Sequence, residues 1–81
     1  MDIVKVFGTN LKKYRTAQGL SQEAFAEKCG LHRTYISAIE CYRRSISLEN
    51  IQRIASALNI ESKLLEESYF MESYRKNILR F

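Results

Sequence analysis

The residues of this chain that could do chemistry are mostly guanidinium and hydroxyl side chains between positions 33 and 45. Arg33, Thr34 and Ser37 stand close together, and Arg43 and Arg44 follow after a short interval. A guanidinium group holds phosphates, and its planar fork can make two hydrogen bonds to one guanine edge. The stretch therefore favours recognition of a polyanion.

Catalysis and metal binding find little support in the sequence. His32 is the only histidine, and Cys29 and Cys41 have no Cys or His partner at the spacing of metal ligands. No nucleophile is paired with a base, and no glycine-rich loop suits a phosphate group. We expect no catalytic residue, no metal and no cofactor, with both thiols reduced and His32 in a turn or against a phosphate.

The charge of the chain is positive and unevenly distributed. Thirteen Lys and Arg residues oppose nine Asp and Glu residues, so the formal net charge is +4. Every charge from Lys5 to Arg15 is positive, residues 33–53 are net basic, and residues 61–72 are net acidic. This balance suits a polyanionic partner, although a charge of this size also serves solubility.

Length and hydropathy limit the chain to one small domain. Its 81 residues, 46% of them hydrophobic and none of them Pro, suit a single helical core. The longest apolar run is far shorter than the roughly 20 residues that cross a bilayer. The N-terminus also lacks the layout of a signal peptide. We therefore expect a cytoplasmic protein with no membrane partner.

Residues that suit helix starts and ends divide the chain into helices. Gly19 and Gly30 suit the left-handed position after the first and second helices, and the fourth helix ends at Asn59. Ser21 and Ser47 suit the N-caps of the second and fourth helices. The third helix opens at position 32 or 33, and a fifth begins near position 62. The pattern predicts a compact all-α fold of five helices.

Residues 22–41 have the length of a helix-turn-helix, and their helix-ending residue stands where the turn would be. Two short helices are separated by a turn at Gly30, where a positive φ is expected, and Ala26 is small where the helices cross closely. Phe25 and Ile36 fill the inside. Each residue alone would be ordinary core in any helical protein, so the indication comes from the joint pattern.

A longer pattern resembles the lambda-repressor-like (XRE-type) helix-turn-helix domain over about residues 7–65. Its matching residues are Phe7, Gly8, Leu11, Arg15, Gly19, Ser21, Gln22, Glu23, Phe25, Ala26, Gly30, Ile36, Ile39 and Glu40. Residues 32–37, Glu40 and residues 44–47 are most similar to the controller proteins of restriction–modification systems. Those are small dimers that time expression of the restriction gene.

Two features depart from the family pattern. The loop from Cys41 to Ser45 lacks the usual Gly or Asn early in the turn, and the tail after Glu67 is longer than the domain requires. We expect residues 1–67 to form the DNA-binding and dimerisation domain. The tail, residues 68–81, has Phe70, Tyr74 and Ile78 at helical spacing, which predicts a short C-terminal helix, with a frayed tail as the alternative.

The resemblance implies a DNA surface centred on the third helix. Arg33 would contact a base in the major groove, while Gln22 and Asn50 would hold phosphates at helix starts. The loop arginines would grip the backbone or a narrowed minor groove, unless they form a solvated basic loop. Tyr35 could equally be a packing residue. The predicted DNA-binding residues are Gln22, Arg33, Thr34, Tyr35, Ser37, Arg43, Arg44, Ser45 and Asn50.

The resemblance also implies a structural salt bridge and a dimer. Arg15 and Glu40 would pair inside the domain rather than at the DNA. The predicted dimer interface consists of Ile46, Leu48, Ile51, Leu65 and Tyr69, with intramolecular core as the alternative. A two-fold dimer would place its recognition helices about 34–36 Å apart on a pseudo-palindromic operator. Pairing of dimers on DNA and contact with RNA polymerase through acidic residues are left open.

Other functions are weighed against this one. A phage-type repressor or an antitoxin would share the fold and most of the pattern. A protein-interaction module could keep the fold while losing its DNA surface, but Gln22, Arg33 and Arg44 argue against that. An enzyme has the least support. The sequence therefore predicts a dimeric transcriptional regulator, a controller protein acting on its own gene and on the restriction gene.

Overall fold

The computed structural model describes residues 2–66 of the chain. This part forms four α-helices and one 3₁₀ turn: α1 (Ile3–Ala17), α2 (Gln22–Cys29), α3 (Arg33–Glu40), α4 (Leu48–Leu58) and the turn Ser62–Leu65. No strand occurs within these residues, which confirms the all-α class. The predicted tail helix over residues 68–81 and the predicted interface residue Tyr69 lie outside the described residues.

The prediction of a fifth α-helix is wrong, because residues 62–65 form only a single 3₁₀ turn. Glu61 stands at its N-cap without a side-chain hydrogen bond to the turn, so its start lacks the stabilisation that a cap gives. Leu65 is 0% exposed, and the turn packs on α1 and α4. A tight turn places Leu65 in the core within four residues, as 3₁₀ segments commonly do.

Short polar side chains fix the helix starts. Ser21 Oγ accepts from the backbone N–H of Ala24 at 3.0 Å, and Ser47 Oγ accepts from that of Asn50 at 3.2 Å. Both N-caps were predicted. Each cap satisfies a backbone donor that has no partner inside its helix. The start of α3 has no such bond from the side chain of its N-cap, His32; there the backbone carbonyl of His32 accepts from the Tyr35 N–H at 3.0 Å.

All four helices in the described part end with the same backbone motif. The residue after each helix's last turn adopts a positive φ, and the following N–H returns to a carbonyl five residues earlier. Gly19, Gly30 and Asn59 take this position after α1, α2 and α4. The sequence predicted this conformation for the two glycines, and for Asn59 it predicted only that the helix ends there. Tyr42 takes it after α3, at φ 64°.

One apolar core joins the helices. Helix α3 packs against both α1 and α2, while α4 packs against α2. Seven large side chains are almost completely buried there: Leu11, Phe25, Ile36, Ile39, Ile54, Leu58 and Leu65. Each contributes roughly 1.5–3 kcal/mol through burial. The packing holds α3 from one side and leaves its N-terminal residues facing solvent.

The two thiols differ in environment. Cys29 is buried, and burial raises its pKa to about 11, against a smaller opposing effect of Lys28. Cys41 is exposed, and both are free thiols. Within residues 2–66, no helix combines the length and the apolar character needed to cross a membrane.

Candidate nucleic-acid interface

The first turn of α3 presents polar side chains to solvent. Arg33 and Thr34 are exposed, and Tyr35 and Ser37 are half-buried. Arg33 is the first residue of the helix, so its long side chain starts from the end at which the backbone N–H groups are unpaired. A guanidinium there is free to enter a groove of DNA, and the helix end attracts phosphate.

A buried ion pair ties α1 to the end of α3. Arg15 Nε donates to Glu40 Oε2 at 2.7 Å, and Arg15 Nη2 donates to Glu40 Oε1 at 2.9 Å. The two residues are 7% and 8% exposed. Arg15 Nη1 also donates to the Leu20 carbonyl at 2.7 Å. The pKa of Arg15 is raised, because the hydrogen bond to Glu40 stabilises the charged form more than burial opposes it.

Gln22 is joined to this buried pair. Its Nε2 donates to Glu40 Oε1 at 3.1 Å, and the side chain is half-buried. A primary amide carries two N–H groups, so one donor remains for a phosphate while the other fixes the side chain. Neither the type nor the spacing of these two residues signals their hydrogen bond. Through it, Glu40 orients the side chain of Gln22, a predicted phosphate contact.

A second group of predicted residues gathers around Tyr35. Asn50 Nδ2 donates to the Tyr35 hydroxyl at 3.0 Å, and the guanidinium carbon of Arg44 lies 4.8 Å from the centre of the Tyr35 ring. Stacking of this kind stabilises a cation and limits its motion. We call Tyr35, Arg44 and Asn50 the tyrosine cluster. It joins α3, the loop after α3 and the start of α4.

The tyrosine cluster borders a shallow groove beside the turn of the helix-turn-helix. The groove is lined by Gly30, Leu31, His32, Thr34, Tyr35, Arg44 and Asn50. Four predicted DNA-binding residues therefore share one surface. Arg43 and Ser45 are exposed in the loop, and they do not line this groove.

The predicted dimer interface divides between surface and core. Leu48 is 82% exposed, and Ile46 is partly buried. Leu65 is 0% exposed and Ile51 is 9% exposed, so both pack in the core of the single chain, and their part in a dimer interface stays a prediction.

An apolar groove lies next to Ile46. Six apolar residues line it, together with three polar ones: Ile3, Val4, Phe7, Ile39, Ile46 and Ile51, and Arg44, Ser45 and Glu66. Ile3 is 52% exposed. Apolar surface is therefore also present between α1 and the segment before α4.

Comparison with known proteins identifies the family. The helix-turn-helix family model HTH_3 matches residues 11–65. A hypothetical transcription factor of Neisseria meningitidis is 44% identical over 59 residues, which cover 73% of this chain and 56% of that protein. The match thus spans just over half the length of that relative. Control protein C.SmaI of Serratia marcescens is 44% identical over 59 residues, covering 73% of this chain and 70% of that protein.

A solved structure agrees with these matches. The crystal structure of the restriction-modification controller protein C.AhdI from Aeromonas hydrophila superposes with a TM-score of 0.74 at 45% identity, covering 76% of this chain and 94% of that one. The resemblance to the lambda-repressor-like domain, and within it to the controller proteins, is confirmed. The chain belongs to the helix-turn-helix family.

Proposed function

We propose that this chain is a sequence-specific DNA-binding regulator of transcription that acts as a homodimer on a pseudo-palindromic operator. One observation carries the proposal: Thr34 and the tyrosine cluster line one groove at the start of α3 and so bring four kinds of side-chain group together, and Arg33 is exposed on the same turn of the helix. Guanidinium, hydroxyl, amide and aromatic groups together suit both base edges and phosphates.

The residues divide into base-contacting and backbone-contacting groups. Arg33 makes paired hydrogen bonds to a guanine edge, while Thr34, Tyr35 and Ser37 contact neighbouring bases or sugars. Gln22 donates its free N–H to one phosphate, and Asn50 donates to another. Arg43, Arg44 and Ser45 contact the backbone where the groove narrows. Arg15 and Glu40 hold the scaffold and do not touch DNA.

A dimer gives this surface its symmetry. We infer that the exposed Leu48, with Ile46 and the edge of Ile51, meets its counterpart on a second copy. The same patch on both subunits generates a two-fold axis, which two half-sites one helical turn apart would match. Pairing of dimers on adjacent sites and contact with RNA polymerase are consistent with this arrangement, as is action in the cytoplasm.

The relatives narrow the regulatory role. Control proteins C.SmaI, C.BamHI and C.MunI match 72–74% of this chain at 44–45% identity. We propose that this chain is likewise a controller protein, which regulates its own gene and a restriction gene. The resemblance extends through α3 and the loop after it, where the DNA-contacting residues lie.

The test is in vitro selection from random duplex DNA at near-physiological salt. Wild-type chain, Arg33→Ala and Lys63→Ala are compared; the last removes one positive charge from the 3₁₀ turn, which packs on α1 and α4. Wild type and Lys63→Ala should recover the same inverted repeat, and Arg33→Ala should lose a base preference in each half-site. Purely salt-sensitive binding without a motif would contradict the proposal.

A further inference from the structure

Tyr42 adopts a backbone conformation that its residue type disfavours. Its φ of 64° lies in the left-handed region, where a side chain crowds the following carbonyl. The other three helix ends of the described chain place Gly19, Gly30 or Asn59 at this position. The motif itself therefore does not require a tyrosine, and something other than the helix end has to compensate for the strain.

Two contacts to α1 hold Tyr42 in place. Its hydroxyl lies 2.8 Å from Thr9 Oγ1, within hydrogen-bonding distance. Its ring lies over Gly8, so closely that a Cβ added to Gly8 would stand 2.9 Å from Tyr42 Cδ1. Both partners come from a helix more than thirty residues away in sequence. The side chain thus bridges the end of α3 to α1.

The two residues that follow are the loop arginines. The Arg43 N–H donates to the Ala38 carbonyl at 2.9 Å, which completes the helix-ending motif. The Arg44 guanidinium stacks on Tyr35 of α3. The loop is therefore held to α1 through Tyr42 on one side and to α3 through Arg44 on the other.

We propose that Tyr42 is a positioning residue for DNA binding, which orders the loop so that Arg43 and Arg44 meet the DNA already in place. The proposal rests on the proposed function. Gly or Asn would end α3 with less strain, so what Tyr42 adds is the bridge to Thr9 and Gly8. A loop ordered before binding loses less conformational freedom when it binds, and this improves affinity.

The test compares variants that keep the helix end and remove the bridge. Tyr42→Asn keeps a residue that tolerates a positive φ, as Asn59 does after α4. In the free protein, backbone order parameters at Arg43 and Arg44 should fall from about 0.85 towards 0.6. Affinity for a duplex recovered by selection with wild-type chain should weaken about 2- to 10-fold.

A chain that lacks both loop arginines distinguishes a positioning role of Tyr42 from a general loss of structure. When Arg43→Ala and Arg44→Ala are both present, Tyr42→Asn should have almost no further effect on affinity, because the side chains it positions are gone. Tyr42→Phe and Thr9→Val each remove the same hydrogen bond, so their effects on affinity should not add. Thermal unfolding of every variant checks that the chain is folded at the binding temperature.

Specific results would overturn the inference. Unchanged order parameters in Tyr42→Asn would show that the bridge does not order the loop. An equal loss of affinity with and without the loop arginines would show that Tyr42 does not act through them. If wild-type chain binds the selected duplex and Tyr42→Asn binds it with the same affinity, the inference is overturned and the proposed function stands. If wild-type chain binds no duplex, both are overturned.

Discussion

Glu40 is the buried residue that connects the scaffold of the domain to a predicted DNA-binding residue. It accepts hydrogen bonds from Arg15 and from Gln22, and it is 8% exposed. A buried carboxylate is costly unless it is paired and fully hydrogen-bonded. Here the pairing joins α1, α2 and α3, so the same oxygens that satisfy the charge also orient a predicted phosphate contact.

Glu40→Ala should lower the free energy of unfolding by about 3–5 kcal/mol, because Arg15 would stay buried without its counter-charge. Urea denaturation followed by circular dichroism measures this. Glu49→Ala is the matched control: its bridge to Arg53 spans 3.5 Å between exposed side chains, so the loss should be about 0–1 kcal/mol.

The role assigned to Glu40 fails under one specific result. If Glu40→Ala weakened DNA binding while the urea midpoint stayed at the wild-type value, Glu40 would act at the DNA rather than in the scaffold. If Glu40 is structural, Glu40→Ala weakens DNA binding only together with a loss of stability. Part of the weaker binding would then come from Gln22, whose side chain Glu40 no longer orients.

Helices α1 and α3 approach each other closely at Gly8. A Cβ at this position would lie 2.3 Å from the backbone carbonyl oxygen of Ile39 and 2.9 Å from the Tyr42 ring. The helix pair can therefore pack at this distance only with glycine in α1. The close approach also brings Tyr42 against α1, which places the loop after α3.

Gly8→Ala should destabilise the domain by about 1–3 kcal/mol, because α1 must shift away from α3. The usual effect of this change inside a helix has the opposite sign, a gain of about 0.5–1 kcal/mol. Thermal and urea unfolding distinguish the two directions. The loss should persist in a Tyr42→Asn background, since the nearer obstacle is backbone. A stabilised Gly8→Ala chain would contradict the packing described.

Helix boundaries were predictable wherever a residue type has one strong local preference. Ser21 and Ser47 cap their helices, and Gly30 and Asn59 end theirs, because capping and a positive φ are decided within a few residues. The end of α3 was not predictable in this way. Tyr42 takes a left-handed φ while Thr9 and Gly8 lie against it, and contacts across thirty residues leave no local signal.

The prediction of a fifth helix was wrong for a related reason. Its apolar residues suggested a helix with an inward face, but Leu65 reaches the core from a single 3₁₀ turn. Over only four residues, an α-helix and a 3₁₀ helix can each turn the same side chains toward the core. Helical spacing over so short a segment therefore does not distinguish them.

The exposed apolar surface of the molecule offers a place for a partner. Leu48 is 82% exposed and Ile3 is 52% exposed. Single exposed apolar residues are ordinary, but Leu48 follows two residues after Ile46, which lines the apolar groove together with Ile3. On the proposed function, a second copy of the chain covers Leu48.

Leu48→Glu should convert a dimer of twice 9.5 kDa into a monomer of 9.5 kDa, because two carboxylates would oppose each other across the two-fold axis. Sedimentation equilibrium measures the mass. The free energy of unfolding of the monomer should change little, because the side chain at position 48 is exposed. Ala24→Glu adds the same charge at an exposed position on α2 and should stay dimeric. A wild-type monomer at all concentrations would contradict the dimer.

The types of the site residues were predictable, but their contacts with one another were not. Arg33, Thr34 and Ser37 follow from their place at the start of a helix in a family pattern. The bonds from Asn50 to Tyr35 and from Gln22 to Glu40 join different helices, so they depend on packing distances and rotamers. Leu65 and Ile51 were predicted at an interface although both are buried in the single chain, because apolar type alone does not separate core from contact surface.

The most direct test of the account is the ratio of two dissociation constants at near-physiological salt. One is for the duplex recovered by selection, and the other is for a duplex of the same length with both half-sites scrambled. The account predicts a ratio of about 10³ or more for wild-type chain, and a clearly smaller ratio for Arg33→Ala, with Lys63→Ala as control. A ratio near one for the wild-type chain would contradict sequence-specific recognition.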